Sequence, residues 1–183
     1  MAQHKNQRVA VFVDVQNMYY SAKQLFHSKV NFAKILSDGV AGRQLVRAFA
    51  YAISADVGKE EEFHEALSRI GYEVKLKDLQ IFYGGAKKGD WDVGIAMDVL
   101  KMANKVDVII LVSGDGDFKE LLEYVKHQGC RTEVMAFDKT ASSKLKKEAG
   151  QFTDLGKTKR YLIPSKIMPP KQNGKLNPRK IQK

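Results

Sequence analysis

Cys130 is the sole cysteine in this 183-residue chain, so no disulfide can form within it. That suits a reducing compartment, and the cytoplasm is the default expectation. Long apolar runs are also missing. The first, Val9 to Val15, is short and broken by Asp14, which excludes it as a membrane span or a signal core. The four histidines (His4, His27, His64, His127) fall at no metal-ligand spacing, and Cys130 has no partner, so zinc is disfavoured. GxSxG, Walker and GxGxxG patterns are absent too. The glycine-rich "YGGAKKGD" at 83–90 lacks the GK[ST] ending of a phosphate-binding loop. A hydrolytic serine and a nucleotide-binding P-loop are therefore disfavoured.

What is present divides unevenly. Residues 157–183 hold nine of the 31 Lys and Arg and no acid, whereas the rest of the chain sets 22 basic residues against all 21 acidic ones. All four prolines (Pro164, Pro169, Pro170, Pro178) lie in the same stretch. A basic, Pro-containing segment with few apolar residues cannot offset its ordering entropy by burial. One domain over 1–160 and a disordered basic tail over 161–183 are expected, with order ending near Ile163. Such a tail is either a solubilising end or an electrostatic arm for a polyanion.

Within the body, strand-like and helix-like stretches alternate. Arg8–Val13, Leu45–Ile53, Glu73–Leu79, Val106–Val112 and Thr132–Phe137 read as strands. Met18–Phe26, Asn31–Leu36, Glu60–Ile70, Trp91–Ala103, Phe118–His127 and Ser142–Ala149 read as helices. For Trp91–Ala103 the expected buried face is Val93, Ala96, Met97 and Leu100. This alternation implies an α/β fold, a parallel doubly wound sheet with helices on both faces. Such sheets bind ligands at the carboxyl ends of their strands, near a reversal of strand order.

Two of those strand ends carry acids. Asp14 closes the first apolar run in "FVDVQN", and Asp115 and Asp117 follow the most apolar run in "SGDGDF". Each has an ordinary reading as a turn or cap residue, with Asn17 or Asp117 capping the next helix. Their joint placement on strand ends of one sheet favours a shared site. Asp92, at the head of the fourth helix, is a third source of charge, with a dipole partner as its plain reading. Asp98 lies six residues further on, about 600° around the helix, and so off that face. Grouped carboxylates without nitrogen or sulfur donors are hard ligands that select Mg²⁺ or Mn²⁺.

The segments "FVDVQN" (12–17), "KGDWDVGIAMD" (88–98) and "LVSGDGDFKELLEYVKHQG" (111–129), in this order and spacing, resemble the NYN domain in its LabA-like branch, a PIN-like ribonuclease fold. The resemblance runs from about Arg8 to Leu155. It implies a metal-dependent ribonuclease that hydrolyses RNA at an acidic pocket with Mg²⁺ or Mn²⁺. Asp14, Asp92, Asp115 and Asp117 match the family's acids as catalytic and metal-holding residues. Asn17 matches its first-block Asn and Ser113 its SGD serine, both expected to orient water or phosphate, and Lys88 is expected to contact the scissile strand. Trp91 departs from the family pattern, where a smaller aliphatic is usual. RNA, single-stranded in the first instance, is the expected partner. No membrane is expected, and a homodimer is left open.

Two rivals are weighed. One is a non-catalytic RNA-binding regulatory module using the same pocket. The other, a dehalogenase-like phosphatase, needs a second Asp two residues after Asp14, where Gln16 stands.

Overall fold

A computed structural model describes residues 4–54, 61–78, 80–81, 87–88 and 90–164. Strand β1 (Arg8–Asp14) runs directly into α1 (Val15–Phe26), and β2 (Ser28–Val30) leads to α2 (Phe32–Val40) and the long β3 (Gln44–Ser54). Helix α3 (Glu61–Ile70) precedes β4 (Glu73–Asp78) and the short pair β5 (Gln80–Ile81) and β6 (Lys87–Lys88). Then come α4 (Asp92–Ala103), β7 (Val108–Val112), α5 (Lys119–His127), β8 (Arg131–Ala136), α6 (Ser143–Glu148), β9 (Gln151–Asp154) and β10 (Leu162–Pro164).

Six strands form one parallel sheet in the order β4-β3-β1-β7-β8-β9. The chain winds outward from β1 through β3 to β4, then crosses back to β7 and winds the other way. The reversal falls between β1 and β7, where the fold class places its ligands. The two strands there are the most buried, with Val9–Val13 and Val108–Val112 excluded from solvent. Alternate residues serve the two faces. Val9, Val11 and Val13 pack toward α1, α2 and α3, while Ala10 and Phe12 pack toward α4 and α5. A continuous apolar run is what burial on both sides requires.

The structure departs from the sequence expectations in several places, the short strands β2, β5 and β6 among them. Helix α1 begins at Val15 rather than Met18, because Asp14 caps it directly from the strand. The sixth strand, β9, was not expected: its four residues include one apolar side chain, Phe152, and none is fully buried. In α4 the expected face is reversed. Ile95, Val99, Met102 and Ala103 are buried, whereas Val93, Met97 and Leu100 are 74%, 50% and 37% exposed. This helix is apolar on two sides, and periodicity alone does not say which side meets the sheet. Lastly, the residues just past 160 pack onto the body. Tyr161 is buried, Arg160 pairs with Asp38 at 2.9 Å, and Leu162–Pro164 form an antiparallel ribbon with β2. The expected tail from 165 onward lies outside the described residues, as do Glu60 and Leu79. No described helix is long and apolar enough to cross a membrane.

Candidate functional site

Three segments meet at the carboxyl edge: the β1–α1 junction, the turn after β7, and the head of α4. Asp14 ends β1, and its Oδ1 accepts from the Asn17 backbone N–H at 3.0 Å, capping α1. Asn17 is therefore not the cap. Its side-chain oxygen instead accepts from the Gly114 N–H at 3.0 Å, tying the end of β1 to the turn after β7. Buried Ser113 reinforces that tie. Its hydroxyl donates toward Asp14 Oδ2 at 3.4 Å and accepts from the Asp115 N–H at 3.2 Å. Asp115 accepts in turn from the Asp117 N–H at 3.0 Å, which starts one tight helical turn before α5. Gly114 is needed for close approach, since a Cβ there would stand 3.1 Å from the Ala141 Cα.

One carboxylate oxygen from each of Asp92, Asp115 and Asp117 lies within 4.8 Å of the other two. Asp92 and Asp115 are half-buried and Asp117 is exposed. Asp14 stands beside this trio and outside it. Burial pushes its carboxyl from an ordinary 3.8 up to about 6, with Asp92 and Asp115 adding repulsion against the lowering effect of its bonds to Asn17 and Ser113. Burial likewise raises Asp92, helped by Asp115, Asp90 and Asp117. Among the described residues none of the four acids has an ion-pair partner. Three clustered oxygens, with no histidine or cysteine among them, fit a hard divalent cation such as Mg²⁺ or Mn²⁺.

The departure at Trp91 has a structural use. Its Nε1 donates to the Ala52 carbonyl at 2.8 Å, and its ring packs on Tyr51 at 5.3 Å. The residue before Asp92 is thereby fastened to the end of β3. Gly94 makes room for it, because a Cβ there would come within 2.5 Å of the indole. Asp98 is committed elsewhere, accepting from Lys75, from Tyr51 at 3.0 Å and from Lys101 at 3.4 Å. Burial opposes its charge, yet Lys75 and Tyr51 hold its carboxyl below the ordinary range. Lys88 lies in the β5–β6 pair, and its side chain is outside what the structure describes.

Lys77 is a basic residue that sequence reasoning missed. Its Nζ donates to the Asp90 carbonyl at 3.0 Å, stands 5.6 Å from the Trp91 ring and works against the raised pKa of Asp92. The signal was available in the alternation of Glu73, Lys75 and Lys77 along one face of β4.

The chain matches the NYN domain over residues 8–156. It belongs to the NYN domain family. Membership places it among PIN-like nuclease folds and supports a nuclease or an RNA-related regulatory role. The low amplitude and bright protein LabA of Synechococcus elongatus is 27% identical over 164 residues, which span 85% of this chain and 87% of that protein. The crystal structure of a protein of unknown function from Vibrio parahaemolyticus superposes with a TM-score of 0.80 at 34% identity, covering 89% of this chain and all of the other.

Proposed function

We propose that this NYN domain is a metal-dependent ribonuclease that hydrolyses RNA phosphodiester bonds within single strands. The observation that carries the reading is the trio of carboxylate oxygens within 4.8 Å of one another, without an ion pair among the described residues, at the strand-order reversal. Asp92, Asp115 and Asp117 would hold Mg²⁺ or Mn²⁺, and Asp14 closes the fourth side. A bound divalent ion offsets phosphate charge and lowers the pKa of water. The protein's own share is placement, since in-line attack on phosphorus depends on positioning and electrostatics. Ser113 and Asn17 act through the acids and the turn they fix, by their hydrogen bonds to Asp14, Asp115 and Gly114. Lys77, with Lys88, is assigned to the phosphate.

The test is incubation of labelled single-stranded RNA with purified protein in Mg²⁺, Mn²⁺ or EDTA, beside Asp14→Asn, Asp92→Asn and Asp115→Asn. Cleavage should need the ion and be largely abolished in each variant, with double variants little worse than singles. Binding without cleavage in every ion would leave the regulatory RNA-binding module standing instead. Full activity in Asp115→Asn would refute the site and point to a contaminating nuclease.

A further inference from the structure

A groove of about 780 Å³ lies between α1, the β2–β10 ribbon and α3. Val15 and Gln16, which directly follow Asp14 in the chain, line it together with Ala52 and Ile53 near the end of β3, so it lies at the same carboxyl edge of the sheet as the acids. Three large aromatic side chains share this one groove and remain in solvent: Tyr19 is 43%, Tyr20 60% and Phe63 39% exposed. Single exposed aromatics are ordinary, but a row of them in one concave surface marks a binding face. Tyr19 and Tyr20 meet edge to face at 5.4 Å, and Tyr20 is the more exposed of the two. Lys23 stands 5.6 Å from the Tyr19 ring, and Lys29 on β2 faces the same space. Among the described residues no Asp or Glu lines the groove. Ile163 lines it too, one residue before the described chain ends, and the sequence from 165 onward adds six Lys or Arg and no acid.

We propose that this groove is the track along which an unpaired RNA strand enters the acidic site. Bases stack on Tyr20 and Phe63, and phosphates meet Lys23 and Lys29. The inference rests on the RNA reading above and supplies what the pocket lacks, because four clustered acids repel a polyanion until something else brings it in. Aromatic faces interleaved with cations suit single strands, whose bases are free to stack. A paired helix hides those faces. A second copy of this chain would set lysines against lysines, which disfavours self-association here.

The test is fluorescence anisotropy of a labelled oligouridylate in EDTA, so that binding is read without cleavage. Tyr20→Ala and Phe63→Ala should each weaken binding about fivefold or more, the low end of the effect of one stacking residue. Tyr20→Phe should restore it. Lys23→Ala and Lys29→Ala should each flatten the slope of log affinity against log salt by about 0.7. Val93→Ala, on the exposed stripe of α4, should change nothing. A hairpin duplex of equal length should bind more weakly than the single strand. All of these positions are exposed, and thermal melts would register any loss of fold. Unchanged binding in the aromatic variants overturns the proposal while leaving a cleavage result intact. Groove-dependent binding without cleavage in Mg²⁺ or Mn²⁺ would support the track and sink the nuclease. A change of oligomeric state in the aromatic variants, with RNA binding unchanged, would show a self-association face and overturns it.

Discussion

The two edges of the central sheet treat charge in opposite ways. Near the amino edge the Arg43 guanidinium forks onto Glu133 with two bonds of 2.8 Å, and it also donates to the Gly39 and Val40 carbonyls at 2.6 and 3.0 Å. Glu133 meets Arg131 as well, at 2.9 Å, and both members of the Arg43–Glu133 pair are buried. Arg8 and Asp107 pair nearby at 2.8 Å. At the carboxyl edge Asp14, Asp92, Asp115 and Asp117 gather without an ion pair among the described residues, and burial forces Asp14 up to about 6. Charge at one edge is satisfied by protein and holds the fold together. Charge at the other has no ion-pair partner among the described residues.

The comparison breaks most severely at the amino edge. Glu133→Gln leaves Arg43 buried without its counter-charge and should cost about 3–5 kcal/mol in chemical denaturation. The carboxyl edge should respond with the opposite sign. Asp14 is protonated in both folded and unfolded chains below about pH 4, and it must carry a buried charge once the pH passes 6. Its contribution therefore falls between those limits. Asp14→Asn, which keeps a capping oxygen, should stabilise the metal-free protein by up to about 3 kcal/mol at pH 7.5, with no gain at pH 4. Equal melting temperatures for the two proteins at pH 7.5 would remove the burden assigned to Asp14.

Smaller effects follow around Trp91, the only tryptophan and hence a clean fluorescence reporter. Gly94→Ala should push the indole off Ala52, red-shift its emission and cost about 1–3 kcal/mol, the usual penalty of overpacking. Asp98→Asn should have the mildest effect on RNA cleavage, because its carboxylate serves Lys75 and Tyr51 rather than the acidic trio. A loss as large as that of Asp92→Asn would place Asp98 in the site after all.

Much of this contrast was legible in the chain. Apolar runs such as Val9–Val13 and Val108–Val112 mark strands buried on both faces, and their ends direct attention to Asp14 and to the Asp115–Asp117 turn. The gathering of Asp92 with Asp115 and Asp117 depends on where α4 begins, and that was visible only as a pattern of neighbouring acids. Other features were hidden for physical reasons. β9 is too short and too polar to show a period, and α4 offers two apolar stripes to a method that sees one. Arg43 and Glu133 are 90 residues apart, and each alone reads as a surface charge. Asn17 has the composition of a cap, but Asp14 had already taken that role.

The central claim is that the unpaired acids hold a divalent cation. It is tested most directly by calorimetric titration of the metal-free protein with Mn²⁺, beside Asp92→Asn and Asp115→Asn. The wild type should show saturable binding and melt at higher temperature with the ion, because binding to the folded state alone stabilises it. Both variants should lose that site while remaining folded. A wild type that takes up no Mn²⁺, or an Asp115→Asn protein that binds it as well as the wild type, would contradict the account.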